Sequence, residues 1–578
     1  MGASPEILAV RAANQYRRRD IIGYLGLRYY LSNICTIRDR WSNEVATLLA
    51  QFNDNPVYHT SWHFKERNDT TNEIKYRRIC LPVPNEIMAE AALIDACAKS
   101  GASFEAHSSV YSYRIAKGNE SGGIYVPYYT GFQQRHKDIA KAARQYPKGQ
   151  VVYTDLQNFY PSIKKEMAVE VWKRATETSS LPLHFAELGL KLIEGYSTNC
   201  NVSEKGILTG PMFSHLIANL VLRTVDEKMA DVMPGGYFRY VDDITLVGEV
   251  DDVAHSECIL NTLVGDLGFQ INVDKRFETT AKQWLEGEND FSAESSRVSW
   301  KTVIGKLKQL LVARPELTDE ITRQFNQNGF RIRPLNYSNA VKSQGYLKRM
   351  HYLMTKGWFR RYMHKANPTQ LLMDAQTLRT RYTQEFWNWI KRKDETNKYD
   401  QKRRIHGLRR YASQLIFIAD PDDLPAITKA LFDVPEMELY AVVFDAVDRG
   451  DVSKLVYYGA NAAHSAVYPL LATYETVECN ADMNIEEVRQ AVAIFNAYGL
   501  RIKIPDTLLL NDEMTVFCQW DSQVFDMGNG RKTFFAEVSR LHGLDCNCRH
   551  KELLFSAFDT REDMVTEISE FMNNSSPC

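Results

Sequence analysis

Two adjacent carboxylates, Asp242 and Asp243, lie between two short runs of strand-forming residues, 238–241 and 244–247. Val, Ile, Tyr, Phe and Thr favour a pleated, half-buried surface, so these flanks predict a β-hairpin with the acids at its turn. Adjacent like charges raise each other's proton affinity, and a divalent metal ion is the commonest means of keeping such a pair ionised. A solvated turn is the alternative interpretation, because Asp is frequent in turns.

A third carboxylate, Asp155, ends an apolar run that begins at Val151. An aromatic pair and a proline then turn the chain, and a helical pattern starts after Ser162. Mg²⁺ prefers hard oxygen ligands and usually takes one or two protein carboxylates, while water and substrate phosphates fill its other positions. Asp155 and Asp242 would supply such a pair. The two patterns together therefore favour a metal site over a solvated turn.

Four segments resemble the motifs of reverse transcriptases, and they occur in the family's order. Residues 155–163 and 240–243 resemble its two metal-binding motifs, which are about ninety residues apart in this chain. Residues 206–214 resemble its glycine turn beneath the templating base and the incoming nucleotide, and residues 267–275 resemble the segment that closes the palm. The resemblance covers about residues 75–290, which is less than half of the chain.

One departure from the family pattern bears on template use. Many relatives carry Pro-Gln before the second glycine of the turn, where this chain has Leu208 and Thr209. Thr-Gly-Pro at this place is more similar to the abortive-infection and other defence-associated bacterial reverse transcriptases than to the retroviral or group II intron enzymes. The absence of that glutamine leaves template use and the sugar contacts open.

The resemblance implies a set of catalytic and metal-binding residues. Asp155, Asp242 and Asp243 would be the catalytic acids, and Leu156 would complete the metal site beside Asp155. Mg²⁺ is the expected ion, with Mn²⁺ as the alternative. If the hairpin is regular, Asp243 points away from Asp242, so we expect it to support the site without being a full ligand.

The resemblance also implies residues that would bind the incoming nucleotide. Arg77 or Arg78, on a basic strand ended by prolines, would hold the triphosphate, although alternation on a strand lets only one of them face inward. Tyr160, five residues after Asp155, occupies the place of the sugar discriminator and implies deoxynucleotides as substrates. The alternatives are surface arginines and a core tyrosine. The remaining candidates in the nucleotide site are Phe159, Gly210, Pro211 and Lys275.

Composition indicates a large soluble protein of several domains. The chain has 578 residues, of which 44% are hydrophobic and 25% charged, and this is ordinary usage for three or four domains. It has no run of about eighteen uncharged apolar residues, so no membrane span is expected. Its N-terminus lacks the basic-then-apolar order of a secretory signal. Ten cysteines without a framework spacing predict reduced thiols in a cytoplasm.

A net charge of −2 conceals a strong asymmetry along the chain. Residues 342–410 contain 18 Lys and Arg against 5 acidic residues, whereas residues 411–578 contain 12 against 27. A basic block beside a catalytic core suits phosphate backbones, and an acidic region does not. We therefore expect nucleic acid to lie across the first block and to avoid the second.

The fold class expected from these patterns is α+β, with the fingers and palm of a right-hand polymerase followed by helical domains. Residues 1–74 form an N-terminal region that reads as mostly helical, and residues 75–290 form the fingers and palm, with 108–115 as a second fingers strand. Residues 291–400 form a basic, thumb-like helical region. Residues 401–578 form a helical-repeat, HEAT-like domain that ends in a helical cap from residue 499.

Two functional classes remain open from the sequence. The first is a DNA polymerase acting in anti-phage defence, either copying an RNA, such as a dedicated noncoding one, or extending a protein hydroxyl without a template. Its partners would be dNTPs, template RNA, a DNA product that could be covalently attached to the protein, and further copies of the chain in a homo-oligomer. The second is a nucleic-acid-binding scaffold with an inactive palm. The presence of all the acids favours the polymerase.

Overall fold

The computed structural model describes residues 5–27, 56–117, 123–199, 206–291, 298–339, 367–392 and 397–505, apart from residues 18, 22, 25, 26, 57, 69 and 83. This part of the chain is a mixed α/β fold and is mostly helical. Its strands are β1 (Tyr58–Arg67), β2 (Ile74–Pro82), β3 (Gln150–Asp155), β4 (Tyr237–Tyr240), β5 (Asp243–Gly248), β6 (Phe277–Thr280), β7 (Thr476–Glu478) and β8 (Arg501–Lys503).

The helices of the first half are α1 (Pro5–Tyr16), α2 (Pro84–Lys99), α3 (Tyr128–Gln145), α4 (Phe159–Ser162), α5 (Lys165–Glu177), α6 (Leu183–Asn199), α7 (Met212–Val221), α8 (Arg223–Val232), α9 (Val250–Asp266), α10 (Ala281–Glu286) and α11 (Glu288–Phe291). Those of the second half are α12 (Trp300–Ala313), α13 (Thr318–Gln327), α14 (Pro368–Lys391), α15 (Lys398–Ile418), α16 (Leu424–Phe432), α17 (Glu438–Arg449), α18 (Gly459–Thr473) and α19 (Glu486–Ala497). None of the described helices is both long and apolar enough to cross a bilayer.

An antiparallel sheet of four strands, in the order β4-β5-β3-β6, carries the candidate site. Successive side chains of β3 enter different cores, since Val152 joins the main core and Val151 and Tyr153 join a second one. Helix α9 packs on the main-core side, and α3, α10 and α15 contact the sheet strands on their other side. The two central strands, β3 and β5, are accordingly buried along almost their whole length, whereas the edge strand β6 alternates buried and exposed residues.

The hairpin of β1 and β2 corrects the expectation for the N-terminal region. Residues 1–74 were expected to be mostly helical, but residues 58–67 form a strand that pairs antiparallel with β2, with a bulge between Phe64 and Glu66. Thr60, Trp62 and Phe64 alternate with other residues on this strand, which is the period of a half-buried sheet surface. A domain boundary at residue 74 would divide this hairpin.

The second fingers strand expected over residues 108–115 is not formed. This segment makes two isolated bridges, from Val110 to Arg239 and from Ile115 to Tyr125. Tyr113 has a φ of 47°, a left-handed conformation that ends any extended run. The segment is therefore an irregular connection that packs against β4 and α7.

The second half of the described chain is helical, as expected, with one exception. Helix α14 packs on α15, and the later helices pack in consecutive pairs, α16 with α17, α17 with α18, and α18 with α19. The exception is the parallel pair β7 and β8, where residues 476–478 meet residues 501–503. The HEAT-like stack and the thumb stay predictions. Residues 340–366 of the basic block and the cap beyond residue 505 lie outside the described residues.

The C-terminal helices hold the outer edge of the N-terminal hairpin. The amide of Trp62 donates to Oε1 of Gln490 at 3.0 Å, and the amide of Phe64 donates to Oδ1 of Asn461 at 2.9 Å. Arg67 forms an ion pair with Glu438 at 2.6 Å. One continuous core accordingly includes residues from α1 to the end of α19.

Candidate metal and nucleotide site

The turn between β4 and β5 has an unusual backbone at Val241. Its φ of 57° lies in the left-handed region, which a β-branched residue rarely adopts and which costs about 1–3 kcal/mol. Two side chains hold it there, because Ser112 Oγ accepts from the Val241 amide at 2.7 Å and Arg239 Nη1 donates to the Val241 carbonyl at 2.8 Å. The surrounding structure thus stabilises a strained turn immediately before the paired acids.

Arg239 is itself held by a buried ion pair. Its Nε and Nη2 both lie 2.7 Å from the carboxylate oxygens of Asp226, and both side chains are 1% exposed. Nη2 also donates to Oδ1 of Asn219 at 3.3 Å. A bidentate pair of this kind fixes the guanidinium in one orientation, so the Val241 carbonyl meets a rigid donor.

The three acids converge at the end of β3. Asp155, Asp242 and Asp243 each offer a carboxylate oxygen, and these atoms lie within 4.8 Å of one another. Asp155 stands directly opposite Asp243 in the β3–β5 pairing, and opposed residues in an antiparallel pair face the same side. Asp242 belongs to the irregular turn, so the alternation of side chains along a strand does not apply to it. Asp243 therefore does not point away from Asp242, as a regular hairpin would require.

The closeness and the burial of the three carboxylates raise the proton affinity of two of them. Burial, followed by the charges of Asp243 and Asp155, raises the pKa of Asp242 to about 7. Burial also raises the pKa of Asp155, against the opposing effect of Lys275. A divalent cation would relieve this repulsion, and three hard oxygen donors suit Mg²⁺ or Mn²⁺. The residues present therefore fit a metal ion.

Lys275 and Asn272 form the wall of the site beside Asp155. Lys275 Nζ lies 2.9 Å from Asp155 Oδ2, and Asn272 Nδ2 donates to Asp155 Oδ1 at 3.3 Å. The Asn272 amide donates to the Asp155 carbonyl at 2.7 Å, and the Leu156 amide donates to the Asp242 carbonyl at 3.2 Å. Leu156 is buried, and these main-chain bonds tie β3 to both neighbouring segments.

Helix α15 brings a further cation to the site from a distant part of the chain. Lys402 Nζ lies 3.3 Å from the ring centroid of Tyr153, whose hydroxyl donates to Asp243 Oδ1. Burial of the ammonium lowers the pKa of Lys402 to about 8, while the negative charge of Asp243 opposes this shift. Counted over the whole residue, Lys402 is exposed to solvent.

The glycine turn docks on the strand that carries the two candidate arginines. Gly210 has a φ of 129°, and a Cβ there would lie 2.2 Å from the Cys80 carbonyl oxygen, so no larger residue fits. The Cys80 amide donates to the Thr209 carbonyl at 2.7 Å, and Pro211 then precedes the first turn of α7. The turn is thereby held against β2.

The two candidate arginines lie on opposite faces of β2 and therefore have different neighbours. Arg78 Nε donates to Thr60 Oγ1 at 3.2 Å. Arg77 lies on the other strand face with Ile79, whose Cγ2 is 2.9 Å from the position of a Cβ on Gly210. Arg77 is thus the arginine on the side of the glycine turn.

The aromatic pair after Asp155 divides between the core and the site. Phe159 is buried and packs against Phe269 with ring centroids 5.4 Å apart, so its ring belongs to the core. Tyr160 is half-buried, and its hydroxyl lies 2.6 Å from Nδ1 of His215. Among the other predicted residues, three are also buried, five are half-buried and one is exposed: Asp155, Gly210 and Pro211 are buried, Arg77, Arg78, Tyr160, Asp242 and Asp243 are half-buried, and Lys275 is exposed.

Comparisons with known proteins give only weak likenesses. No protein-family model matches this sequence. No curated protein matches it. Among solved structures, apo telomerase from Candida tropicalis is 12% identical with a TM-score of 0.24, over 39% of this chain and 46% of that one.

A second solved structure that is similar is telomerase from Candida albicans in complex with a TWJ fragment of telomeric RNA. It is 10% identical with a TM-score of 0.29, over 69% of this chain and 66% of that one. The present chain thus spans about half of the first telomerase chain and just under two thirds of the second. Both TM-scores are low, so the likeness assigns no activity to this chain.

Proposed function

We propose that this chain is a DNA polymerase of the reverse-transcriptase type, which adds deoxynucleotides to a hydroxyl primer. The observation that carries the proposal is the convergence of Asp155, Asp242 and Asp243 within 4.8 Å on an antiparallel sheet. The docking of the glycine turn on β2, the strand that carries Arg77 and Arg78, also supports the proposal. In this proposal β1, β2 and α2 belong to the fingers and the four-stranded sheet is the palm.

The reaction joins the primer oxygen to the α-phosphorus of the nucleotide, and the bond to the departing pyrophosphate breaks. Bound metal ions would lower the pKa of the primer hydroxyl and neutralise charge on the phosphates. The three acids would hold those ions, and the strained turn at Val241 keeps Asp242 in place before any substrate arrives. Such preorganisation is the main protein contribution to phosphoryl transfer.

The remaining side chains would orient the nucleotide. Arg77 lies on the side of the glycine turn and would bind the triphosphate by charge-assisted hydrogen bonds. Tyr160 would face the sugar and exclude a 2′-hydroxyl. Lys275 would exchange part of its contact with Asp155 for a phosphate oxygen, since both are anionic oxygen acceptors.

Two versions of the reaction belong to this proposal. In one, the chain copies RNA, and in the other it extends a hydroxyl of its own without a template. Leu208 and Thr209, together with the helical second half of the chain, support the second version. The resemblance of Thr-Gly-Pro to the abortive-infection group is the reason for proposing a role in anti-phage defence.

The test is nucleotide incorporation by the purified full chain. The protein is incubated with each labelled dNTP and Mg²⁺, with and without co-purified RNA, and the products are treated with protease and nuclease. Incorporation that requires the divalent ion supports the polymerase, and its response to RNase separates the templated version from the template-independent one. Nucleic-acid binding without incorporation of any dNTP, with Mg²⁺ or Mn²⁺, would instead identify an inactive scaffold.

A further inference from the structure

His215 lies in an aromatic cage next to Tyr160. It is 3% exposed on α7 and stacks on Tyr113, with ring centroids 3.7 Å apart and an interplanar angle of 5°. Tyr125 and Tyr160 meet it edge-on, at centroid distances of 6.2 and 5.5 Å. Packing on several sides fixes the plane of the imidazole, because a ring turned out of that plane would collide with its neighbours.

This imidazole holds the hydroxyl of Tyr160. Nδ1 of His215 and the Tyr160 oxygen lie 2.6 Å apart, which is a short hydrogen bond. Burial lowers the pKa of His215 well below its ordinary value, so the ring is neutral and can serve as donor or acceptor in this bond. The hydrogen bond therefore joins the half-buried side chain of Tyr160 to a buried imidazole whose ring plane is fixed by packing.

The cage is connected to the strained turn of the metal site. Asn219, one turn after His215 on α7, donates to the carbonyls of Ser112 and Tyr113 at 3.3 and 3.4 Å. Ser112 accepts from the Val241 amide, and Tyr113 covers His215. A single irregular segment therefore sets both the turn before Asp242 and the position of the imidazole.

We propose that His215 is a positioning residue for sugar selection. Its hydrogen bond holds the Tyr160 ring in the one rotamer from which the ring excludes a 2′-hydroxyl. Without this bond the Tyr160 side chain can populate other staggered rotamers, and the space for a ribose opens part of the time. The inference rests on the proposed function, in which Tyr160 faces the nucleotide sugar, and it adds the residue that determines the orientation of that ring.

The test compares use of dNTP and rNTP by matched variants of the full chain. His215→Phe keeps a stacked ring and removes the hydrogen bond, and Tyr160→Phe removes the same bond from the other side. Tyr160→Ala removes the whole ring. Tyr458→Phe is the control, because it removes a buried tyrosine hydroxyl that donates to Glu438 Oε1 at 2.6 Å in the C-terminal half of the chain.

We expect each Phe variant to raise the rNTP-to-dNTP ratio by about fivefold, which corresponds to one neutral hydrogen bond. The double variant His215→Phe/Tyr160→Phe should raise it no further, since both changes remove one bond. Tyr160→Ala should raise it more, and the control should leave it unchanged. Melting curves identify any variant that fails to fold, and Tyr160→Phe then carries the test alone, because it adds no volume to the cage.

Other outcomes overturn the inference in distinguishable ways. If the wild-type chain discriminates between the sugars and both Phe variants keep its ratio, or lower use of both nucleotides equally, His215 has only a structural role. If Tyr160→Ala also keeps the ratio, Tyr160 does not face the sugar. If the wild-type chain neither incorporates nucleotides nor is stabilised against heat by dNTP with Ca²⁺, the proposed function fails and the inference with it.

Discussion

At the scale of single residues, the acidic group combines close carboxylates with partial burial. The pKa of Asp242 is raised to about 7, which shows that the site without a cation disfavours full ionisation. Lys275 neutralises Asp155 directly, and Lys402 lies over the tyrosine that donates to Asp243. Asp155 and Asp243 therefore have different polar partners, and the ionisation of Asp242 depends most on an added cation.

The first prediction concerns that acid. Asp242→Asn keeps the size of the side chain and removes its charge, so incorporation of dNTP should fall by about two to three orders of magnitude or more. Melting temperature should stay the same or rise, because the substitution removes repulsion with Asp155 and Asp243. Asp251→Asn, at an exposed position on α9, is the matched control. Retained incorporation by a folded Asp242→Asn protein would remove Asp242 from the metal site.

At the scale of elements, the β4–β5 turn depends on a partner from outside the sheet. Ser112→Ala removes the acceptor of the Val241 amide and should cost about 1 kcal/mol of unfolding free energy. Because the turn would relax from its left-handed conformation, the Mg²⁺ concentration for half-maximal incorporation should rise. Urea unfolding and an Mg²⁺ titration measure the two effects. Ser109→Ala, which removes a hydroxyl bonded to His107 at 2.8 Å in the same segment, is the control and should leave the Mg²⁺ dependence unchanged.

The packing of α2 against α7 predicts a dependence of stability on pH. Glu90 is fully buried and accepts from the Phe213 amide at 3.2 Å, and burial raises its pKa from 4.5 to about 8. The folded protein therefore binds this proton more tightly than the unfolded chain does. Stability is greatest below pH 4.5 for this group and falls by roughly 2–4 kcal/mol as the pH rises to about 8.

Glu90→Gln should remove that slope, since the amide is neutral throughout. Melting temperatures at pH 5, 6.5 and 8 would show a flatter profile and a higher value at pH 8 than in the wild type. Glu187→Gln, at an exposed position on α6, serves as the control. A variant with the same slope as the wild type would assign the effect to other groups.

Local sequence patterns predicted the strands that carry the acids. They did not predict the conformation of the turn or the side chains that reach the site from distant parts of the chain. The apolar runs before Asp155 and around Asp242 are indeed strands, because their side chains suffice to define a sheet face. The left-handed Val241 has no local signal, since a β-branched residue disfavours it. Lys402 and Ser112 reach the site only through tertiary packing, and nothing in their own neighbourhood of the sequence distinguishes them.

At the scale of the whole molecule, the attachment of the DNA product distinguishes the two possible primers. If the chain primes from its own hydroxyl, the DNA product should remain attached through a phosphodiester, which survives boiling in detergent, whereas electrostatic binding does not survive high salt. Radiolabel should then migrate with the 66.4 kDa protein after boiling and be released by protease. Label that runs free of protein would point to a nucleic-acid primer.

The burial of the C-terminal tyrosines reduces the number that could provide the priming hydroxyl. Among the described C-terminal tyrosines, Tyr440, Tyr458 and Tyr498 are buried in the core and cannot reach a nucleotide without unfolding. The half-buried ones are Tyr411, Tyr457, Tyr468 and Tyr474. Phe substitutions at these four positions, one at a time, should identify a priming residue among them by loss of the attached label with retained nucleotide binding.

The attachment of β1 to the C-terminal helices has a consequence for synthesis of the chain. Phe64 bonds Asn461 and Trp62 bonds Gln490, which are 397 and 428 positions away. A ribosome adding about 5–20 residues per second makes the hairpin roughly 20–80 s before these partners. For that interval the outer edge of β1 lacks these partners, and an open strand edge is a template for aggregation. Nascent chains stalled before residue 459 should therefore be the species that most requires chaperones.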